Sequence, residues 1–111
     1  MPSRDVLRVL EVIARNIRLA RYFIEDLSFE AFAAGVRAIY AVTRCLEIIS
    51  EASRQLPEEL KSRHPGVPWR QIAGAGNIYR HDYEDVLPEI LWNSVNEELA
   101  GLEKAVRAEI A

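Results

Sequence analysis

From Val6 onward, apolar residues recur at Leu10, Ile13, Ile17, Ala20, Ile24 and Leu27 in steps of four and three, while Arg4, Arg8, Glu11, Arg15, Arg18 and Glu25 take the opposite side. That period predicts a long amphipathic helix. Its seam is spaced as in helical bundles and coiled coils, so it suits its own core or a partner chain equally. Ser28 is a good N-cap with Glu30 placed in the first turn, which predicts a second helix from Phe29. Gly35 is expected to kink or break it; beyond, Ile39, Val42, Leu46, Ile49 and Leu56 keep the same spacing up to Pro57.

The stretch "LPEELKSRHPGVP" holds three prolines and a glycine and reads as a connector, in which "EELKSR" has room for one short helical turn. Pro68 and Pro88 suit the first positions of a third and a fourth helix, the fourth burying Leu91, Val95, Leu99, Leu102 and Val106. No segment alternates as strands do. The expected fold is therefore all-α: an antiparallel four-helix bundle with a short helical or irregular connector, forming one domain over residues 1–111.

Projected at helical pitch, residues 69–86 separate into two faces. Trp69, Ile72, Ala75, Tyr79, Tyr83 and Val86 form an apolar side with Gly76 at its edge. Arg70, Ala73, Asn77, Arg80, His81 and Glu84 form the other, so an amide, a guanidinium and an imidazole share one stripe. A solvated helix face collects polar residues too and is the ordinary reading of such a stripe, with a structural or interface hydrogen-bond network the next alternative. Trp69 and Trp92 fit apolar faces and are assigned to packing, and His64 reads as a loop residue.

Composition narrows the options. Half of the 111 residues are hydrophobic, enough for one core without a metal or disulfide. The only cysteine, Cys45, permits no disulfide framework and points to the cytoplasm. No apolar run approaches the ~18 residues of a membrane span, so a soluble protein without membrane contact is expected. A formal charge of −3 opposes indiscriminate adhesion to nucleic acid, so any RNA contact must be local. The basic residues are arginines apart from Lys61 and Lys104. Neither a Walker-type phosphate loop, HExxH or paired CxxC metal spacing, nor a Ser-His-Asp arrangement is present, and no cofactor is expected. "GAG" at 74–76 lacks the preceding strand of a dinucleotide fold, and its small residues are expected to let a second helix come close, within the chain or across a dimer.

Four segments together resemble the HepT-like, or DUF86, branch of the HEPN domains: "IEDLSFEAFAA", "RCLEIISEASRQLPEELKSRHPGVPW", "RQIAGAGNIYRHDY" and "VLPEILWNSVNEELAGLE". The resemblance covers nearly the whole chain. It implies a dimeric toxin of a two-gene toxin-antitoxin pair that cuts RNA without a metal, neutralised by an MNT-type nucleotidyltransferase antitoxin. The family motif is an arginine, usually followed by asparagine, with four intervening residues before a histidine, then one residue and a tyrosine. Asn77, His81 and Tyr83 occupy the matching positions, and Gly76 stands where the arginine belongs.

The resemblance thus implies His81 as general base or acid, an ionisable group whose ordinary pKa lies near ~6.5. Asn77 would orient the phosphate or His81, its alternative being a hydrogen bond at a helix end or dimer contact. Arg80, one turn beyond Gly76, is the replacement cation, its alternative a surface pair with Glu84; Arg70 is a poorer candidate. Tyr83 is the residue the antitoxin would modify with AMP, unless its ring packs on the apolar side. The missing arginine supports two other readings: a catalytically inactive HEPN domain that serves as binding or assembly partner of the nucleotidyltransferase, and a nucleotide-binding helper.

Overall fold

The computed structural model describes residues 3–81 and 88–111, Arg80 and His81 by backbone alone. Every regular element among them is helical. The first, α1, spans Arg4–Ile24 and is capped by Ser3, whose Oγ accepts the Val6 N–H at 3.2 Å. Its stripe of Leu10, Ile13, Ile17 and Ala20 is fully buried, as the period predicts. The chain leaves α1 through Asp26, whose φ of 66° lies in the left-handed region that Asp tolerates better than most residues.

Ser28 caps α2 (Phe29–Ala34), accepting the Ala31 N–H at 3.1 Å. At Gly35 the helix breaks rather than kinks: the residue is extended, with φ −99° and ψ 97°, and α3 starts afresh over Val36–Arg54. The break turns α2 so that Phe29 and Phe32 meet Trp92 edge-on and tilted, at 5.8 and 5.4 Å between ring centres. Trp92 is therefore a packing residue.

The connector forms one short helix, α4 (Glu58–Ser62), and Leu60 and Val67 bury its inner side. Trp69 also packs, its indole N–H lying 3.1 Å from the carbonyls of both Lys61 and His64. It opens α5 (Trp69–His81), one residue later than Pro68 suggests. After Pro88–Asn93 (α6) comes a π-helical turn, Ser94–Glu98, and then α7 over Leu99–Ile110. Leu91, Val95, Leu99, Leu102 and Val106 are all buried across that turn.

Contacts between the long helices run α5 to α3, α3 to α1, and α1 to α7, so α1 and α3 form the middle of the molecule. Two polar ties close its ends. Arg21 of α1 meets Glu103 of α7 at 2.7 Å, and Glu109 near the end of α7 accepts Arg63 at 2.7 Å and contacts His64 Nε2 at 2.6 Å. His64 is the loop residue expected, and its imidazole fastens the connector to α7.

Candidate active-site helix

The close approach that "GAG" suggests occurs within the chain. The N–H of Gly76 donates to Ser50 Oγ on α3 at 2.9 Å, and that hydroxyl donates to the Ala73 carbonyl at 3.0 Å. Arg54, one turn further along α3, places Nε and Nη2 at 3.0 and 2.9 Å from the same carbonyl. Three side-chain donors thus converge on one helical oxygen, which can accept more than its intrahelical bond because a carbonyl has two lone pairs.

This seam explains the glycine. A Cβ at position 76 would stand 2.6 Å from Ser50 Oγ and 3.0 Å from Ser50 Cβ, inside van der Waals contact. Glycine costs a helix interior roughly 1 kcal/mol against alanine, and here that cost secures the approach of α3. Any side chain at this position requires Ser50 to shift. Gly74, by contrast, faces open space.

Over residues 69–79 the projected faces are largely those observed: Gly76 and Tyr79 are buried, Trp69, Ile72 and Ala75 partly so, while Arg70 and Asn77 are exposed and Ala73 is half-buried. Asn77 follows Gly76 on the surface, and Arg80 and His81 form the last described turn of α5. Tyr83 lies outside the described residues, as does the suggested partner Glu84. Where the side chains of Arg80 and His81 point, and whether they meet Asn77, also falls outside them.

Ser50 against Gly76 and Arg54 against Ala73 set the two helices antiparallel. Five residues beyond Gly76, about 7.5 Å along the axis, His81 is level with residues 44 and 45 of α3. Arg44 is 70% exposed there, loosely paired with Glu47 at 3.7 Å. The sequence pattern does not single out Ser50, Arg54 or Arg44. Only the serine carries a signal, as a small residue on the flank of an apolar stripe.

The other flank of α5 is open. A cleft of about 490 Å³ separates Ile72, Ala75 and Tyr79 from Ser94, Glu98 and Leu102. Burial pushes the Tyr79 phenol above its ordinary pKa, a hydrogen bond with Ser94 opposes the shift, and the charge of Glu98 adds to it. Asn93 Nδ2 donates to Glu98 at 3.2 Å. With Glu97 and Glu98 in its lining, this cleft disfavours phosphate. Among the described residues, no group of three or more His, Cys, Asp and Glu is arranged to hold a metal ion, and no helix is long and apolar enough to cross a membrane.

Comparison with known proteins bears on the chain as a whole. The family profile described as Ribonuclease HepT-like matches residues 13–109. A protein of Thermococcus cleftensis described as a probable ribonuclease HepT is 39% identical over 93 residues, covering 84% of each chain. One from Methanocaldococcus jannaschii, whose name marks it as a candidate RNase, is 34% identical over 106 residues, 96% of this chain and 97% of that one. A third, from Caldanaerobacter subterraneus and also named as a candidate RNase, is 38% identical over 98 residues, 88% of each. No solved structure matches the chain. A family match over residues 13–109, with relatives 34–39% identical over most of the chain, makes this chain a member of the HepT-like ribonuclease family.

Proposed function

We propose that the protein is a metal-independent RNA endonuclease, the toxin of a toxin-antitoxin pair, acting in the cytoplasm as a homodimer of HEPN-type four-helix bundles. Family membership is the observation that carries this reading. In the reaction, the RNA 2′-hydroxyl attacks the adjacent phosphorus and the 5′-oxygen of the next nucleotide leaves, giving a cyclic phosphate and a new hydroxyl. His81 takes the proton of the attacking hydroxyl or supplies one to the leaving oxygen. Arg80 offsets charge on the phosphate oxygens, in place of the arginine that Gly76 replaces. Asn77 orients the phosphate. Ile78 beside it is 54% exposed, an apolar side chain suited to contact with a second copy.

The partner in this reading is an MNT-type nucleotidyltransferase that attaches AMP to Tyr83, adding negative charge where RNA phosphate must enter. Expression in bacteria without that partner is the test. Growth arrest that disappears in His81→Ala and Arg80→Ala is expected; toxicity indifferent to both removes this helix from the mechanism.

The Ser50 contact at Gly76 favours a second reading, because a position packed against α3 as a glycine is also what a lineage without catalysis would show. In it the domain is an assembly partner of the nucleotidyltransferase. Purified protein that leaves tRNA and mRNA intact yet binds the transferase tightly selects this reading.

A further inference from the structure

Along the outer side of α3, Arg37, Tyr40 and Arg44 follow one another at i, i+3 and i+7, which places all three on one face. Each is exposed, Tyr40 at 66% and the Arg44 side chain at 70%. An aromatic ring this open contributes nothing to the core, and arginines flank it on both sides.

The antiparallel register fixes what lies beside this stripe. Counting back from the Ser50 contact brings Arg44 level with His81 of α5, and Tyr40 about one turn further out in the same direction. The stripe therefore continues the surface on which Asn77 is exposed. Glu47, mostly buried, pairs with Arg44 at 3.7 Å, beyond hydrogen-bond distance, so the guanidinium keeps its donors for a phosphate.

We propose that the Arg37, Tyr40 and Arg44 face of α3 is a single-stranded RNA subsite, in which Tyr40 stacks on a base one step from the cleaved linkage and the two arginines hold its phosphates. Charge selects the occupant: a ring between guanidinium groups matches a base between phosphates, in a protein whose net charge otherwise repels nucleic acid. The inference rests on the nuclease reading for its substrate, yet it is separable from it.

The test is binding of a short, mixed-sequence, fluorescein-labelled 2′-O-methyl RNA, which lacks the attacking hydroxyl, measured by anisotropy across a salt series. Tyr40→Ala is expected to weaken binding about tenfold, while Tyr40→Phe keeps it. Arg44→Ala lowers the slope of affinity against salt by about 0.7. Thermal melting of each variant checks that the exposed substitution leaves the fold intact.

Affinity unchanged in both Tyr40→Ala and Arg44→Ala overturns the inference, even where His81-dependent cleavage upholds the nuclease reading. Absence of cleavage with Tyr40-dependent binding does the reverse. Tyr40→Ala that alters the mass in light scattering and leaves RNA affinity untouched overturns it too, because the ring then belongs to a contact between copies.

Discussion

The two flanks of α5 are built on opposite terms. Toward α3 the helices touch at Gly76 and Ser50 with no room for a methyl group, and three donors hold the Ala73 carbonyl. Toward α7 the same helix faces a cleft of about 490 Å³, reached by the Tyr79 phenol. Close-packed surfaces resist any change of volume, whereas a cleft absorbs one. It follows that α3 sets the height and rotation of α5, and with them the placing of Asn77 and of the turn that carries Arg80 and His81. The cleft side is free to vary.

The strongest challenge to that contrast is to put an arginine back at position 76. Gly76→Arg is expected to destabilise the fold by about 3 kcal/mol in urea unfolding, as overpacking does, and to bring no nuclease activity. Adding Ser50→Gly recovers part of the loss by opening space on α3. A Gly76→Arg protein of unchanged stability would mean that the seam is not closed.

Gly76→Ala tests the same contact more gently. Alanine favours the helix by roughly 1 kcal/mol, yet the variant is expected to be about 1 kcal/mol less stable, because its methyl displaces the Ser50 hydroxyl from both its bonds. The coupling with Ser50→Gly, measured in a double-mutant cycle, should depart clearly from additivity.

On the open flank, acid provides the sharper probe. Glu109 fastens α7 to the connector that enters α5, and its side chain is only 12% exposed. Bonds from Arg63 and then His64 hold its carboxyl down at about 2, against an ordinary 4.5. The bonded carboxylate therefore stabilises the fold above pH 4.5, and that contribution is lost as pH falls from 4.5 toward 2. Glu109→Gln should lower the Tm by ~3 °C at neutral pH and flatten the dependence of Tm on pH in the acid range.

The smallest effect is expected at Tyr79→Phe, about 0.5 kcal/mol, since the ring stays and only the bond with Ser94 is lost. Its phenol is raised above 10 in the fold, so the stability it lends is complete below pH 10 and disappears as pH rises through the shifted value. Ultraviolet titration should lose a step above pH 10 in the variant.

Much of the fold is legible one element at a time. The three-four steps of α1, the Ser28 cap, the connector and the buried run from Leu91 to Val106 depend on neighbours within a few residues, and periodicity reports those directly. Gly35 marks a weak point in the sequence, but whether the helix bends or breaks there depends on where Phe32 finds Trp92. The π-helical turn at Ser94 leaves no mark on the apolar spacing. For the site, the pattern of residues places Asn77 on an exposed stripe, and the family resemblance suggests what such a stripe does.

Sequence by itself determined the helices, the side each one buries, and the identity of the motif that lacks its arginine, because these follow from local spacing and from likeness to other chains. Tertiary structure alone decided why position 76 is glycine. Ser50 lies 26 residues away in the chain, and it meets Gly76 only after the cores of α1 and α3 have set the register of α5. Contacts between distant residues depend on the packing of the whole core, which no short stretch of sequence encodes.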